Sequence, residues 1–196
     1  MKRYLIAVSA IYLMAFPLLS SAATYQVDPD HSSIQFKIRH LTVSNVTGTF
    51  NKFSGTAMID DQAPTTLKVE ATIDAASVDT GHVKRDEHLK GPDFFDVTKY
   101  PTITFVSKKV EKVEPGKLKI IGDLMMHGVA REVTVDVEGP TPEIKDPWGN
   151  LRRGASGTAK INRNDFGITW NKVLDTGGLV IGEEVNVYVE VEWVRK

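Results

Sequence analysis

Apolar and polar residues alternate along much of this 196-residue chain. Successive side chains of a β-strand point to opposite faces, so a period of two predicts strands with one apolar and one polar face. The clearest rows cover residues 34–38, 67–73, 118–126, 133–137 and 185–193. Further strands are predicted at 46–60, 101–113 and 152–162. The pattern therefore predicts about eight strands.

Short turn-forming segments separate these rows and indicate how the strands connect. Glu114-Pro115-Gly116 and His127-Gly128 each lie between two neighbouring rows, which is typical of tight antiparallel hairpins. Antiparallel strands with a single apolar face form either a two-sheet sandwich or a closed barrel. A barrel is favoured because it leaves no edge strand open to pairing with other chains. An eight-stranded barrel is just wide enough inside for side chains or for one slim ligand.

One segment, GHVKRDEHLK at residues 81–90, departs from the alternation and predicts a short helix. It is rich in helix-forming residues, Asp79 or Thr80 can cap its start, and Gly91-Pro92 ends it. No internal repeat or linker interrupts the pattern. The sequence thus indicates a single all-β domain over residues 23–196 with one helix inserted near residues 81–90.

The first 22 residues have the features of a signal peptide. Lys2 and Arg3 form a positive n-region, a long uncharged run follows, and small residues complete the cleavage region. The uncharged run is too short to span a bilayer comfortably and contains Pro17, which disfavours a retained membrane anchor. Cleavage is predicted after Ala22 or Ala23, with Ala22 preferred, and the mature chain is expected to be exported.

The composition narrows the function classes. The chain has no cysteines, which excludes disulfides, thiolate metal ligands and a cysteine nucleophile. Residues 23–196 suffice for one domain that buries ~70% of its unfolded surface. Without Lys2 and Arg3, 22 Lys and Arg stand against 25 Asp and Glu, a net charge near −3. There is no basic excess to indicate binding to nucleic acid or to an anionic membrane.

The histidines are the natural candidates for a metal site. His82 and His88 are six residues apart and do not share one stripe of a helix. His31 and His40 fall on opposite faces of the predicted first strand. The i, i+4 spacing of zinc-binding histidine pairs is absent. We therefore predict no metal site.

Catalytic chemistry would most plausibly use the acids around the predicted helix. Asp86, Glu87, Asp93 and Asp96 accompany His88, but nothing in their spacing sets a raised pKa or a defined carboxylate separation. The chain also contains no Gly-x-Ser-x-Gly nucleophile motif. We expect these charges to be solvated on the outer face of the helix, and we predict no catalytic residues. A hydrolase that uses this Asp/Glu/His cluster at the barrel mouth is the alternative.

The barrel interior is predicted to be either a packed core or a ligand tunnel. From the pattern alone a packed core is the better expectation, because protein interiors are close-packed. Several glycines on predicted strands favour a tunnel, since they remove side chains where a filled barrel needs bulk. These glycines are Gly48, Gly55, Gly122, Gly154 and Gly157.

Four stretches of the chain resemble the YceI-like family of exported bacterial lipid-binding proteins. They are HSSIQFKIRHL with GTFNKFSG (31–55), SVDTGHVKRDEHLKGPDFFDVTKYPTITF (77–105), GDLMMHGVAREVTVDV (122–137) and DPWGNLRRGASGTAKINRNDFGI (146–168). Together they cover essentially the whole mature chain in order. The second is the most specific, because its short motifs fall at fixed spacing.

The resemblance implies an eight-stranded, antiparallel, lipocalin-like barrel with a helix near one mouth. It implies a periplasmic protein whose tunnel takes a long isoprenoid or similar amphiphile, such as a polyprenyl phosphate, a ubiquinone tail or a fatty acid derivative. It brings no catalytic residues and no cofactor apart from the lipid. Transport, storage and a stress response all stay open, as does the oligomeric state, a homodimer included.

The apolar pattern also predicts which side chains meet the lipid. A buried methylene contributes ~0.8 kcal/mol, so a long tail needs few polar anchors. We expect Arg85 and His88, three positions apart on one helical face, to meet a phosphate or quinone oxygen. The predicted tunnel lining is Phe36, Ile38, Phe50, Phe53, Leu89, Phe94, Phe95, Ile103, Phe105, Leu124, Met126, Phe166 and Trp170.

An outer-membrane barrel is the remaining alternative for an exported all-β chain. It would need lipid-facing apolar strands of ~9–11 residues with aromatic girdles. The rows at 34–38 and 133–137 are too short for this, and a polar helix insertion also fits poorly. We therefore expect no stable membrane insertion.

Overall fold

A computed structural model describes residues 22–175 and 177–196 of the chain, so the n-region and apolar run of the predicted signal peptide lie outside the described residues. The described parts contain twelve strands, one α-helix and four 3-10 turns. The strands are β1 (Ala23–Val27), β2 (Ser33–His40), β3 (Ser44–Phe50), β4 (Phe53–Ile59), β5 (Lys68–Asp74), β6 (Val78–Asp79), β7 (Thr102–Glu114), β8 (Lys117–Met126), β9 (Val129–Glu138), β10 (Ile144–Lys145), β11 (Leu151–Asn162) and β12 (Ile181–Arg195). The helix α1 is Val83–Lys90, and the 3-10 turns are Pro29–His31, Pro64–Thr66, Ala75–Ser77 and Arg163–Phe166.

The antiparallel strand pairings close into a barrel. β1 and β2 both pair with β12, and β4 and β3 pair with β1 and β2 in turn. β5 and β6 continue this order against β4 and β3. The successive neighbours are then β7, β8, β9, β11 and β12, and the pairing of β11 with β12 completes the ring.

Three of the barrel strands are interrupted partway and therefore appear as two short strands each. These composites are β1 with β2, β3 with β4, and β5 with β6, while β10 is a short addition beside β11. Counted in this way, the described chain forms eight antiparallel barrel strands in chain order. The predicted all-β, lipocalin-like barrel with one helix is confirmed.

The single strand predicted at 46–60 is one of these interrupted strands. At Asn51 and Lys52 the backbone leaves the ladder and bonds instead to the neighbouring composite, since Asn51 N donates to Ser77 O and Asp74 N donates to Lys52 O. β1 is absent from the predicted strands, because its short alternating row follows directly on the apolar leader. Both differences arise from local pairing partners, which alternation does not specify.

Helix α1 confirms the predicted helix, but its N-terminal cap differs from the prediction. His82 is the cap, and its Nδ1 accepts a bond from Arg85 N at 3.4 Å. Asp79 instead accepts from Gly81 N in the turn before the helix. The helix ends at Lys90, and Gly91 caps its C-terminus as predicted. Among the described residues, no helix is both long and apolar enough to cross a membrane.

The core divides into two clusters along the barrel. The packed half consists of Tyr25, Ala57, Ile59, Leu67, Val110, Leu118, Ile120, Val137, Ala155 and Trp193, all buried. The cavity half is built around Phe50, Ala75, Val78, Phe94, Ile103, Met126, Phe166 and Ile168. The long strands run through both halves, so the same alternating pattern supplies a filled core at one end and the walls of a site at the other.

The strand glycines do not open the barrel interior as the sequence suggested. A Cβ on Gly48 would lie 2.3 Å from the ring of Phe36, and a Cβ on Gly122 would lie 2.6 Å from the ring of Phe105. The space that these glycines leave is therefore filled by neighbouring aromatic rings. At Gly55 the nearest atom is a backbone oxygen, at 2.7 Å. At these three positions the glycines permit close packing and do not widen the barrel interior.

Candidate functional site

A cavity of about 350 Å³ lies inside the cavity half of the barrel. This volume is at the lower end of the range typical of small-molecule sites, ~300–1,000 Å³. Its apolar lining is Ile34, Phe36, Ile38, Val46, Phe50, Ile73, Leu89, Phe94, Phe95, Ile103, Leu124, Met126, Ile161, Ile168, Trp170, Val180, Ile181, Val185 and Val187. None of the buried residues of the packed half belongs to it. The expected tunnel is therefore a cavity confined to one half of the barrel.

Strands β2 and β12 form one wall of the cavity. Their alternation places apolar side chains of both strands on the same inner face, where Ile38 pairs with Val185 and Phe36 with Val187. These side chains are only half-buried. In the packed half, by contrast, Trp193 of the same β12 is 4% exposed. This difference in burial arises because inner side chains face open space in the cavity half and other side chains in the packed half.

Helix α1 and the turn after it form another part of the cavity lining. After the helix, Phe94 N donates to Gly91 O and Phe95 N donates to Leu89 O, and this tight turn brings both phenylalanine rings to the cavity. The Phe94 ring lies 5.3 Å from that of Trp170, and the Phe95 ring lies edge-on to that of Phe50 at 5.6 Å. Aromatic contacts of this kind hold the helix against the barrel.

Most of the predicted lining residues are brought together at this cavity. Ten of the thirteen line it, namely Phe36, Ile38, Phe50, Leu89, Phe94, Phe95, Ile103, Leu124, Met126 and Trp170. Their contact with a lipid stays a prediction. The three that do not line the cavity are Phe53, Phe105 and Phe166.

Each of the three exceptions has a structural reason. Phe105 packs against the packed half of the core, beyond the reach of the cavity. Phe166 is 1% exposed inside the 3-10 turn Arg163–Phe166, where it is enclosed by other side chains. Phe53 is half-buried at the start of β4, on the far side of the strand interruption from Phe50. The sequence pattern identified inward-facing positions but not the extent of the cavity along the barrel.

The predicted head-group residues line the cavity, and some of their polar atoms already have partners in the protein. Arg85 donates from Nε to Thr80 Oγ1 at 2.6 Å and from Nη2 to Thr80 O at 2.7 Å. His88 Nε2 lies 2.9 Å from Asp93 Oδ2. Arg85 Nε and Nη2 and His88 Nε2 are thus bonded to the protein itself, whereas Arg85 Nη1 and His88 Nδ1 have no hydrogen-bond partner in the described chain.

A polar lining residue that sequence reasoning missed is Arg163. It is 4% exposed, and it donates from Nε to Gly182 O at 2.9 Å and from Nη1 to Ile168 O at 2.6 Å. Burial lowers the pKa of Arg163. The sequence signal was weak, since a single arginine directly after the alternation of β11 resembles any polar strand end.

The Asp/Glu/His cluster considered for catalysis is dispersed around α1. Asp86 accepts a bond from Thr80 N at 2.9 Å, while Glu87 is exposed. His88 is bonded to Asp93, and within the described residues no serine or threonine hydroxyl is hydrogen-bonded to it. The cluster therefore shows a helix-stabilising arrangement and no activated nucleophile in this part of the chain.

A second polar group lies outside the cavity. Ligand atoms of Asp28, His31 and Glu192 lie within 4.8 Å of one another. Arg152 already occupies this group, donating from Nη1 to Asp28 Oδ2 at 2.6 Å and from Nε to Asp146 Oδ2 at 2.6 Å. The guanidinium supplies the positive charge that a metal would bring. His31 belongs to the 3-10 turn Pro29–His31, and its predicted position on the first strand is wrong.

Fold and cavity together define an eight-stranded up-and-down barrel with an internal apolar site. The YceI-like domain matches residues 25–193, and the chain belongs to this family. A UPF0312 protein of Vibrio vulnificus is 39% identical over 198 residues, covering 100% of both chains. A UPF0312 protein of Vibrio parahaemolyticus is 40% identical over 170 residues, covering 86% of this chain and 89% of the relative.

Solved structures share the fold. BcnA of Burkholderia cenocepacia superposes with a TM-score of 0.72 at 26% identity, over 85% of this chain and 98% of BcnA. The YceI protein of Campylobacter jejuni gives 0.68 at 35% identity, over 82% and 91% of the two chains. A domain from Saccharophagus degradans, described as polyisoprenoid-binding, gives 0.62 at 17% identity, over 89% and 99%. The last likeness bears on the fold alone.

Proposed function

We propose that this protein binds a long-chain isoprenoid or a related amphiphile inside its barrel and serves as a periplasmic carrier or reservoir. The observation that carries the proposal is the apolar cavity between β2, β12 and α1. Nineteen apolar side chains line it, whereas six lining residues are polar. A site of this composition favours an apolar chain over a polar metabolite.

The energetics of burial support the same ligand class. At ~0.8 kcal/mol for each methylene, about a dozen buried methylenes contribute ~10 kcal/mol. Association costs an estimated 4–15 kcal/mol, so a chain of this length is enough for useful affinity with few polar contacts. A polyprenyl phosphate, a quinone tail and a fatty acid derivative all have an apolar chain of sufficient length.

The family gives further support for a binding role. The Saccharophagus degradans domain that shares the fold is described as polyisoprenoid-binding. The cavity here is small for a long polyprenyl chain, so we propose that the barrel encloses one segment of the chain. Binding, rather than hydrolysis, is the proposed activity, because Asp86 is bonded to Thr80, His88 is bonded to Asp93, and no serine or threonine hydroxyl of the described residues is bonded to His88.

The test is to identify the lipid that accompanies the protein. The protein is purified from its native periplasm, extracted with organic solvent, and the extract is analysed by mass spectrometry. Two variants on adjacent positions of β12 provide a matched pair: Val187→Trp adds bulk inside the cavity, and Tyr188→Trp adds a similar ring at an exposed position. We expect a prenyl or acyl lipid with the wild type and with Tyr188→Trp, and its loss from Val187→Trp.

Two outcomes of this experiment would contradict the proposal. Equal lipid content in the two tryptophan variants would place the lipid outside the cavity. A wild-type protein without lipid that hydrolyses test esters would favour the hydrolase alternative. The same preparation tests the export proposal, since an intact mass that starts at Ala23 or Thr24 indicates a cleaved signal peptide.

A further inference from the structure

The two buried arginines of the described chain have different surroundings. Arg153, 7% exposed in the packed half, bonds Asp61 Oδ2 at 2.6 Å and Tyr25 Oη at 2.9 Å. Arg163, 4% exposed at the cavity, makes no ion pair with any carboxylate of the described residues. One buried guanidinium therefore has an internal counter-charge, and the other does not.

The bonds that Arg163 does make hold its guanidinium in place. A guanidinium carries five N–H donors. Nε and Nη1 each donate to a main-chain carbonyl, of Gly182 and Ile168 respectively. In the described chain Nη2 has no hydrogen-bond partner, and Arg163 belongs to the cavity lining. Donors are thus fixed in orientation and left available beside an apolar space.

A buried charge without a partner is costly, and this cost indicates a missing ligand group. Removing a charged group from water costs several kcal/mol unless an opposite charge and hydrogen bonds compensate. The carboxylate that acts most on Arg163 is Glu183, which is exposed and forms no ion pair with it within the described chain. Arginine keeps its proton under such conditions, so an anion in the cavity would compensate a charge that two carbonyl groups compensate only in part.

The polar residues of the cavity lining differ in charge, but none of them is negative. They are Gln35, Arg39, His40, Arg85, His88 and Arg163, and no aspartate or glutamate of the described chain lines the cavity. Arg39 and Arg85 each make two side-chain hydrogen bonds, as Arg163 does, but Arg39 is exposed and Arg85 is half-buried, so Arg163 differs from them in its burial. A cavity with three arginines and no carboxylate in its lining attracts an anion and disfavours a cation.

We infer that Arg163 binds the oxyanion head group, a phosphate or a carboxylate, of the amphiphile whose tail occupies the cavity. The inference rests on the proposed function. It adds that the ligand is negatively charged and that Arg163 is the residue that binds this charge. It also replaces Arg85 and His88 as the principal head-group residues. A bidentate contact from the Nη atoms to two oxygens is the geometry that a guanidinium favours.

The experiment compares farnesyl phosphate with farnesol, which carry the same tail and differ in charge. Dissociation constants are measured by calorimetry on lipid-stripped wild type and on Arg163→Gln. Because hydrogen bonds to a charged group are stronger than neutral ones, we expect wild type to prefer farnesyl phosphate roughly ten- to hundredfold. In Arg163→Gln this preference should fall to within about threefold, while the affinity for farnesol changes little.

Two control variants separate the head-group role from folding and from surface charge. Arg153→Gln removes the other buried arginine and is expected to lower stability but to keep the preference for farnesyl phosphate. Arg131→Gln removes an exposed arginine on β9 and should leave the preference unchanged. If Arg163→Gln does not fold, a crystal structure of wild type with farnesyl phosphate decides the matter: phosphate oxygens within hydrogen-bonding distance of Arg163 support the inference.

Each contrary outcome has a defined meaning. Failure of both ligands to bind would contradict the proposed function itself. Equal affinity of wild type for both ligands, or an unchanged preference in Arg163→Gln, would overturn the role of Arg163 alone. Competition by inorganic phosphate at concentrations comparable to farnesyl phosphate would assign Arg163 to a free anion and overturn the head-group assignment.

Discussion

Two adjacent arginines of β11 differ in burial and in bonding partners because they occupy successive positions of the strand. Arg152 and Arg153 are neighbours on β11 and therefore point to opposite faces. Arg153 is buried with Tyr25 and Asp61, whereas Arg152 is half-buried between Asp28, Asp146 and Glu192. The bond from Arg152, followed by that from His31, lowers the pKa of Asp28 to about 2.

This depressed pKa predicts a specific loss of stability in acid. A group whose folded pKa lies below its unfolded pKa stabilises the fold above the unfolded value, and the contribution disappears as the pH falls through the folded value. We expect wild type to exceed Asp28→Asn in free energy of unfolding by about 1 kcal/mol at pH 5, after allowance for solvent screening. More than half of that gap should vanish at pH 2.5.

Urea unfolding at the two pH values checks this prediction. His31, which also faces Asp28, should stay protonated over this range, because Asp28 raises the pKa of His31. Glu192 contacts the same arginine and is present in both proteins, so the difference between them reports on Asp28. A gap that is the same at pH 5 and pH 2.5 would show that the Arg152 contact does not stabilise the carboxylate form.

At the scale of elements, α1 and its exit turn form a cover over the barrel mouth. The helix itself has no buried residue, and it is held by Leu89 and by the two phenylalanines that follow Gly91-Pro92. Phe94 is 6% exposed and packs between His88 and Trp170. Phe95 is half-buried and lines the cavity beside Phe50. The adjacent rings should therefore contribute differently to stability and to binding.

We predict that the three alanine variants of this cover have distinct effects. Phe94→Ala removes a buried ring and should lower the free energy of unfolding by about 3 kcal/mol. Phe95→Ala should lower the affinity for farnesol by roughly tenfold with a smaller loss of stability. Glu87→Ala changes an exposed side chain and should stay within about 0.5 kcal/mol of wild type.

Urea unfolding and calorimetric titration with farnesol measure the two quantities separately. Glu87→Ala is the matched control, since it lies on α1 but away from the cavity. If Glu87→Ala weakened farnesol binding more than Phe95→Ala, the cavity would not be the binding site. The alternative of a hydrolase that uses the Asp/Glu/His cluster would then be favoured.

At the scale of the whole molecule, one barrel combines a filled half and a hollow half. The filled half has side chains packed to near-complete burial, such as Tyr25 and Ala57 at 1% and 0% exposed. The hollow half leaves the inner side chains of β2 and β12 half-buried. Both halves contain buried residues, but none of those in the packed half lines the cavity, so stability can be changed there without changing the site.

This division predicts that a defect in the packed half leaves binding intact. Leu118→Ala, at a residue 4% exposed, should lower the free energy of unfolding by about 2–5 kcal/mol. Farnesol at a hundredfold excess over its dissociation constant should still stabilise the variant by ~2.7 kcal/mol, as it does wild type. Urea unfolding with and without farnesol tests this, and a variant that no longer responds to farnesol would show that the two halves are coupled.

The features of the candidate site that depend on the alternation of side chains along a strand were predictable from the sequence. Those that depend on how side chains of different strands pack together were less predictable. Ile38 and Phe36 were identified because the side of a strand follows from alternation alone. Phe105 obeys the same alternation but falls in the packed half, because the position of the cavity along the barrel depends on how side chains from several strands fill space. Arg85 was correctly placed at the cavity, but its bond to Thr80 depends on a turn that no pattern specifies.

The sequence by itself determined the number of barrel strands, their antiparallel order and the single helix, because backbone periodicity and turn residues act locally. It also determined the family, through motifs at fixed spacing. Only the tertiary structure decided that one half of the barrel is filled and the other hollow, that the glycines accommodate aromatic rings, and that Arg163 is buried without a carboxylate partner among the described residues. These features arise from contacts between residues far apart in the chain, which local patterns do not encode.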